Sequence, residues 1–354
     1  MTLLDLARRD FPGVVTSSTA PGKVVGNRIR TPGAGADPAA VRRRTLRVGI
    51  WALALLVFGA LVVASLLIGA GTLDAQVFWA SRVPRTVAVV LAGAAMALGG
   101  LLMQLLVRNR FVEPSTVGTT ESAGAGLLIA TIWMPAMPVA GKMGVAVLAG
   151  ILGTALFLQV IRVVPVHSAI IVVPLVGLML SGVIAASTTF IAYQFDLLQT
   201  MTMWMTGDFS GVIRGRFELL WLVGALLVVT YVFADRFTVA GLGRDHATSL
   251  GLNHRVAMAV GLGIVAVSSA VCVVVVGGLP FLGLVVPNLV SLVMGDNLRR
   301  SLPVICLGGA GFVLACDILA RVINHPYELP VGIIVGVVGA AVFLTMLVRR
   351  KGLR

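Results

Sequence analysis

The chain has 354 residues, of which 58% are hydrophobic and 12% charged, and its net charge is +13. Soluble domains are about 45–50% apolar and about 25% charged, so this composition, with a mean hydropathy of +1.03, excludes a water-soluble fold. A membrane-spanning helix needs roughly 20 apolar residues, and the length admits about ten. The 41 glycines lie largely within apolar runs, which favours an all-α protein packed through small residues over a β-barrel.

The first 45 residues differ from the rest of the chain. They contain four prolines and no sustained apolar run, so we expect a disordered tail rather than a signal peptide. Three consecutive arginines at 42–44, followed by Arg47, stand directly before the first apolar stretch. Because basic residues collect on the cytoplasmic side of membrane helices, we expect residues 1–45 in the cytoplasm. Residues 46–350 are expected to form one membrane domain.

Hydropathy predicts ten spans in the remainder of the chain. The eighth contains Pro280 and Pro287, so we expect it to be broken or tilted. The spans are predicted at Val48–Gly69, Val87–Leu106, Gly118–Met134, Val145–Val164, Ile170–Ala192, Leu219–Phe233, Val256–Val276, Leu279–Met294, Leu302–Leu319 and Leu329–Val348.

The distribution of charge supports this count. Ten spans place both termini on the cytoplasmic side, together with 21 of the 27 basic residues. Six basic residues remain outside, and this asymmetry is typical of a correctly oriented membrane protein. The six are Arg82, Arg85, Lys142, Arg214, Arg216 and Arg321.

No catalytic or metal-binding pattern is evident in the sequence. The Gly-Lys pairs at 22–23 and 141–142 lack the hydroxyl residue and the upstream glycine of a phosphate-binding loop. The four histidines are scattered singly, and the three cysteines lie inside apolar runs, where we expect small buried residues. We therefore predict no catalytic residue, metal or cofactor in this chain, and no nucleic-acid partner.

Two acidic residues lie within predicted spans. Asp317 stands four residues before Arg321, which predicts an ion pair on one helix face. Glu121 follows two threonines near a helix start, where a carboxylate suits the helix dipole. Neither is a convincing proton relay, which disfavours a gradient-driven transporter and suggests that energy comes from a partner.

The longest polar insert, residues 235–255, follows the sixth span. Its centre predicts a short helix that ends at Gly251, with a further helical turn starting from Asn253. Spacing alone leaves two readings open, a solvated connector or a docking element for a soluble motor protein.

Seven collinear segments resemble the permease family of bacterial ABC importers for iron–siderophores, haem and cobalamin, the FecCD or BtuC-like permeases. The resemblance runs from about residue 48 to the C-terminus. It implies a type II importer fold of about ten helices. The segments are RVPRT at 82–86, GAAMALGG at 93–100, RNRFVEP at 108–114, WMTGDFSG at 204–211, ATSLG at 247–251, GLPFLGLVVPN at 278–288 and ELPVGI at 328–333.

The resemblance also implies roles for individual residues. A first group would dock an extracytoplasmic substrate-binding protein, and a second would constrict a cytoplasmic gate. A third would couple to the ATPase, and a fourth would line the pathway, although the glycines of this fourth group could instead serve close helix packing. The docking group is Arg82, Arg85 and Arg321, and the gate group is Asn109, Phe111, His167 and Ser168. The coupling group is Arg244, Asp245, His246, Ser249, Leu250, Gly251 and Asn253. The pathway group is Ser181, Thr188, Gly332 and Gly336.

Three positions depart from the pattern of the family. Arg110 stands where proline is usual, Asn288 where histidine is common, and Glu121 where relatives often have Ser, Asp or a small residue. The gate geometry is therefore not transferable from the family. No dedicated substrate site is implied along the pathway, because recognition belongs to the binding protein.

The sequence thus predicts a multi-pass permease of the bacterial cytoplasmic membrane, importing a ferric siderophore. Its partners would be two ATPase subunits that hold ATP and magnesium, a second permease copy or paralogue, a substrate-binding protein and the lipid bilayer. Haem or cobalamin import by the same machinery stays open. A gradient-driven secondary transporter and a membrane scaffold are the alternatives from other classes.

Overall fold

The structure is a computed structural model that describes residues 38–69, 74–161, 163, 169–215, 217–295, 297–324 and 327–351. Two compact units divide the chain between Leu53 and Ala54. The described part of the first unit, residues 38–53, is helical, and the second unit carries all other elements. The predicted gate residues His167 and Ser168 lie outside the described residues, as do the predicted tail residues 1–37.

All regular structure in the described residues is helical, as the composition predicts. A π-helical turn, Phe78–Arg82, joins α2 to α3, and a 3₁₀ turn, Ser115–Val117, precedes α4. The α-helices are α1 Pro38–Leu67, α2 Ala75–Val77, α3 Val83–Val107, α4 Thr119–Trp133, α5 Val139–Ile161, α6 Ala169–Gln194, α7 Leu198–Met205, α8 Leu220–Val232, α9 Ala234–Gly241, α10 Arg244–Ser249, α11 His254–Val276, α12 Leu282–Met294, α13 Leu298–Val322 and α14 Val331–Lys351.

Each of the ten predicted spans coincides with one of these helices, but the helices differ in length. Among the described residues, six are long and apolar enough to cross a membrane, or seven if the bent pair α8 and α9 is counted as one span. Helices α4 and α12 have 15 and 13 residues. At 1.5 Å per residue they extend about 20 Å, less than the hydrocarbon core of about 30 Å.

Helix α3 forms the centre of the second unit. Most of its residues are buried, and it packs against α8, α11, α12 and α13. Small residues permit the closest of these contacts: a Cβ added at Gly93 would lie 2.7 Å from the Gly309 carbonyl oxygen. A Cβ added at Gly100 would overlap the backbone of Gly283 at the start of α12. The glycine-rich segment at 93–100 is therefore a packing surface for two neighbouring helices.

The segment before α4 and the start of α12 both lie against the C-terminal half of α3. Pro114, shortly before α4, lies against Gly99, and Gly283, at the start of α12, lies against Gly100. The eighth predicted span is shortened rather than broken: residues 277–281 are not helical, and α12 runs from Leu282 to Met294 as one helix with Pro287 inside it. The third predicted span, Gly118–Met134, agrees with α4; before α4 begins, the chain runs back along α3 as far as Gly99.

Gly100→Ala tests the central packing contact. The added methyl group has no space against Gly283, and we expect a loss of about 1–3 kcal/mol, as for other overpacked sites. The measurement is the unfolding midpoint and the monodisperse fraction of the purified protein in detergent. Gly263→Ala is the matched control, because Gly263 lies inside α11 with no neighbouring atom within 4 Å. Equal unfolding midpoints for the two variants would contradict the assignment of Gly100 as a tight packing contact with Gly283.

Candidate functional site

A buried network of charges joins α3, α13 and the segment before α14. Arg85 donates two hydrogen bonds to Asp317 Oδ1, at 3.1 Å from Nε and 2.8 Å from Nη2. Its Nη1 lies 2.6 Å from Glu328 Oε2. Asp317 also pairs with Arg321 on the same helix, which confirms the ion pair predicted from the spacing. Asp317 thus contacts two buried arginines, and Glu328 provides a second carboxylate for Arg85.

The arginines of this network also cap the end of α1. Arg321 Nη1 donates to the carbonyl oxygens of Ser65 and Ile68 at 2.8 and 2.7 Å. Arg82 Nη1 donates to those of Leu66 and Leu67 at 3.0 and 2.8 Å. The last carbonyl groups of a helix have no partner within the helix, and cations near them are favourable. The network therefore fixes where α1 ends against α3 and α13.

The predicted docking arginines consequently lie inside the protein in this structure. Arg82, Arg85 and Arg321 are 6%, 8% and 4% exposed. Glu328, in the ELPVGI segment, is the more accessible member of the network, with 24% of its side chain exposed. A docking role for the three arginines stays a prediction, and it requires that the binding protein reach side chains that are buried and mostly hydrogen-bonded within the chain.

At the opposite end of α3, the predicted gate residues Asn109 and Phe111 form one tight turn. Asn109 Oδ1 accepts a hydrogen bond from the Phe111 backbone N–H at 2.9 Å. The Phe111 ring meets Phe343 of α14 edge to face, with ring centroids 6.2 Å apart. The turn at 109–111 is therefore packed directly on α14.

Two of the departures from the family pattern contact each other at this turn. Asn288 Nδ2 donates to the carbonyl oxygen of Arg110 at 2.8 Å and to that of Leu284 at 2.8 Å. Arg110 Nη1 donates to Ser291 Oγ at 3.2 Å. Arg110 and Asn288 thus both contribute to the contact between the turn at 109–111 and α12.

A buried carboxylate connects the two interrupted helices. Glu113 Oε1 accepts from the Phe281 backbone N–H at 3.0 Å and from Ser115 Oγ at 2.8 Å. Phe281 has a positive φ of 63°, an uncommon conformation for a non-glycine residue. Gln104 Nε2 donates to the Gly283 carbonyl at 3.0 Å. These side chains satisfy backbone groups that the helices leave open at membrane depth.

The predicted pathway residues fall into two groups. Ser181 and Thr188 are buried on α6, and each hydroxyl donates to a backbone carbonyl, of Ser115 and Ile184 respectively. Gly332 is buried and accommodates Gly207, whose carbonyl accepts from the Gly332 N–H at 2.7 Å. Gly336 faces Pro280. The two glycines thus occupy packing contacts, the alternative left open by the sequence.

The seven predicted coupling residues lie together on an exposed segment. The predicted helix is α10, Gly251 follows it with φ 77°, and Asn253 caps the start of α11 through its side chain. These observations confirm the local reading of the sequence. All seven residues are exposed, and Leu250 has 67% of its surface accessible. Beside them, a groove of about 700 Å³ is lined by Phe233, Phe237, Val256 and neighbouring residues.

Several residues of these sites were not singled out for a role from sequence. Phe343 lies in an apolar span, and nothing in its surroundings distinguishes it from a lipid-facing residue. Glu113 directly precedes Pro114, and Glu328 stands two residues before Pro330. An acidic residue so close to a proline within a recognised segment of an apolar chain was the available signal. In the part of the chain that the structure describes, no cluster of three or more His, Cys, Asp or Glu could hold a metal ion.

The fold and sites define a polytopic α-helical membrane protein with interrupted helices, an arrangement found in transport proteins. The chain belongs to the FecCD transport family, which matches residues 47–349.

Individual relatives agree with this assignment. The petrobactin import system permease protein YclN of Bacillus subtilis is 44% identical over 278 residues, covering 78% of this chain and 88% of the relative. The ferric-anguibactin transport system permease protein FatD of Vibrio anguillarum is 41% identical, with 76% and 86% covered. A solved transporter assigned to the metal-chelate type of ABC transporters, in an inward-facing conformation, shares the fold with a TM-score of 0.72, 23% identity, and 85% and 99% covered.

Asp317→Asn tests the buried charge network. The substitution leaves Arg85 and Arg321 without their shared counter-charge, and breaking a buried pair in this way costs about 3–5 kcal/mol. We expect a markedly lower unfolding midpoint in detergent.

Asp235→Asn is the matched control for that experiment. Asp235 pairs with Arg299 at 2.6 Å, but both side chains are mostly exposed, and exposed pairs contribute little. We therefore expect its midpoint to stay at that of the parent protein. A similar decrease of the unfolding midpoint in both variants would mean that the buried network around Asp317 contributes no more to stability than the exposed ion pair.

Proposed function

We propose that the chain is the membrane-spanning permease subunit of an ATP-driven ABC importer and that its transported substrate is a ferric siderophore. The observation that carries this proposal is the 44% identity to a petrobactin permease over 88% of that relative. Vitamin B12 permeases of the BtuC type match less closely, for example that of Klebsiella pneumoniae at 34%. Similarity therefore favours the siderophore over cobalamin.

The exposed segment around α10 is the proposed docking surface for the ATPase. It offers charged residues and one exposed leucine, Leu250, beside an apolar groove. Helix α11 follows without a flexible linker, because Asn253 caps its first turn. A displacement of α10 would be transmitted along α11, 23 residues or about 35 Å, to the non-helical segment at 277–281.

The turn at 109–111 is proposed as one wall of the cytoplasmic gate. It contacts α12 through Asn288 and α14 through Phe343, so movement of either helix changes its position. Arg82, Arg85 and Arg321 are proposed to face the substrate-binding protein from the other end of α3. Ser181 and Thr188 are proposed to line the pathway on α6.

The remaining partners and the topology complete the proposal. Two ATPase subunits would hold ATP and magnesium, and a second permease copy or paralogue would complete the pathway. Both termini would lie in the cytoplasm, with residues 1–45 as a basic tail and residues 46–350 as the membrane domain. The 21-to-6 distribution of basic residues supports this orientation.

Copurification tests the ATPase surface. We expect a nucleotide-binding subunit, coexpressed from the same genomic neighbourhood, to copurify in detergent with the parent chain. A variant altered at Arg244, Asp245 and Leu250 should lose it, since these residues are exposed and contribute to no core cluster. Ile213→Glu is the control, because Ile213 is also an exposed aliphatic residue but lies before α8. Retention by the triple variant would remove the segment from the interface, and absence of any ATPase would overturn the proposed function.

The source of energy separates this proposal from a gradient-driven transporter. In cells that express the complete system, uptake of radioactive iron from a ferric siderophore should persist when a protonophore collapses the proton gradient and cytoplasmic ATP is maintained. Depletion of ATP should stop uptake, because hydrolysis on the partner subunits drives the change of access. The reverse pattern would identify a secondary transporter.

A further inference from the structure

A cavity of about 390 Å³ lies where the two interrupted helices begin. The first turn of α4 contributes Thr120 and Glu121, and residues 278–280 before α12 contribute the opposite edge. The remaining lining comes from α3, α6 and α7 and the residues that adjoin them. It comprises Met96, Ser115, Ala185, Thr188, Thr189, Leu198, Met201, Thr202, Met205 and Thr206.

Glu121 is the one acidic or basic side chain among the residues that line this cavity. Its Oε2 atom is buried and has no hydrogen-bond partner among the described residues. Thr120 is 6% exposed, and its Oγ1 atom is likewise buried without a partner. Polar atoms buried without a partner are costly, so two adjacent ones at the edge of a cavity indicate that a ligand completes the site.

Four threonine hydroxyl groups around the cavity already donate their protons and can only accept further hydrogen bonds. Thr188 and Thr189 donate their protons to carbonyl groups one turn earlier in α6, at 2.7 and 2.8 Å. Thr202 and Thr206 do the same in the following segment, at 2.9 and 2.8 Å. A hydroxyl whose proton is engaged still has a free lone pair. The four threonines thus offer acceptor atoms.

A second carboxylate, that of Glu113, lies directly behind the lining of the cavity. Ser115 lines the cavity, and its hydroxyl donates to the carboxylate of Glu113. The cavity is therefore bordered by one carboxylate and backed by a second, and an anionic group entering it would meet repulsion. A group that fits must carry positive charge and several hydrogen-bond donors.

The lining distinguishes between kinds of cation. A divalent metal ion prefers several carboxylate or carbonyl oxygens, whereas Glu121 is the single carboxylate in the lining. An ammonium group has three donors and no acceptor, which matches a carboxylate surrounded by hydroxyl lone pairs. The apolar side chains of Met96, Leu198 and Leu279 would accommodate a methylene stem.

We propose that this cavity is a binding subsite for an alkylammonium group and that Glu121, with Thr120, holds the cationic head. This proposal rests on the proposed function for its biological ligand, which would be an amine-bearing arm of the transported molecule. It adds a selective element inside the membrane domain, where the resemblance to the family implies none. A transported molecule without such an arm would pass this point with no specific contact.

A cysteine placed in the cavity reports the charge preference directly. Ala185→Cys adds one sulfur atom at a residue that lines the cavity and is exposed to it. In nanodiscs of phosphatidylcholine, the modification rates by 2-aminoethyl and 2-sulfonatoethyl methanethiosulfonate are compared. The parent chain gives the background from its own Cys272, Cys306 and Cys316. We expect the ratio of cationic to anionic rates to fall roughly tenfold when Glu121→Gln is added, because a charged cleft concentrates counter-ions by at least that factor.

Ser187→Cys is the matched control. Ser187 lies two residues further along α6, is exposed and does not line the cavity. Its ratio of rates should not respond to Glu121→Gln. Thr120→Val is a second test variant in the Ala185→Cys background and keeps the charge. Elution of every variant at the position of the parent chain in gel filtration shows that the variant is folded.

Competition identifies the kind of cation. We expect n-butylammonium chloride to slow cationic modification of Ala185→Cys more than sodium chloride at equal ionic strength, and Glu121→Gln and Thr120→Val to reduce this protection. Equal protection by sodium would make the cavity a site for inorganic cations and overturn the proposal. An unchanged ratio in Glu121→Gln, or no protection at all, would also overturn it. The measurement uses the isolated chain, so its result is independent of whether an ATPase copurifies.

Discussion

Every backbone polar group inside a bilayer must find a partner within the protein, and the interrupted helices make this requirement the dominant constraint on the structure. The segment before α4 and the start of α12 lie against Gly99 and Gly100 of α3, so non-helical backbone lies beside a helix that spans the membrane. Side chains satisfy that backbone: Glu113 accepts from Phe281, Gln104 donates to Gly283 and Ser181 donates to Ser115. The glycine surface of α3 brings these groups within reach.

Charged side chains at the two ends of α3 make different kinds of contact. Near its N-terminus, Asp317 and Glu328 compensate Arg85, and Arg321 and Arg82 satisfy the last carbonyl groups of α1. Removing ions from water is expensive, so such a network contributes more to a unique arrangement than to net stability. Near the C-terminus, Arg110 and Asn288 share hydrogen bonds at the gate turn. The first arrangement fixes three helices to one another, whereas the second joins a short turn to one helix.

Hydropathy, basic residues and helix-ending signals were sufficient to predict the positions of the ten helical segments, the short helix before Gly251 and the Asp317–Arg321 pair. They could not predict which part of α3 contacts the segment before α4 and the start of α12. Apolar content shows that a helix is buried but not against which residues of a neighbouring helix it lies. The burial of Arg82, Arg85 and Arg321 was likewise not predictable from a positive charge count. It depends on carboxylates and carbonyl groups from α1, α13 and the segment at 328–330, which are distant in sequence.

The residues around 277–283 are held by α11, by Glu113 and by α14. Helix α11 ends at Val276 and leads back to the exposed coupling segment, while Glu113 holds the backbone of Phe281. Gly339 of α14 packs against the Phe281 side chain, and Phe343, one turn further, packs against Phe111 of the gate turn. A displacement arriving along α11 therefore cannot move Phe281 without also disturbing α14 or the contact with Glu113. Because the cavity beside Glu121 is bordered by the same residues 278–280, a displacement that moves the proposed gate would also change the shape of the proposed ammonium subsite.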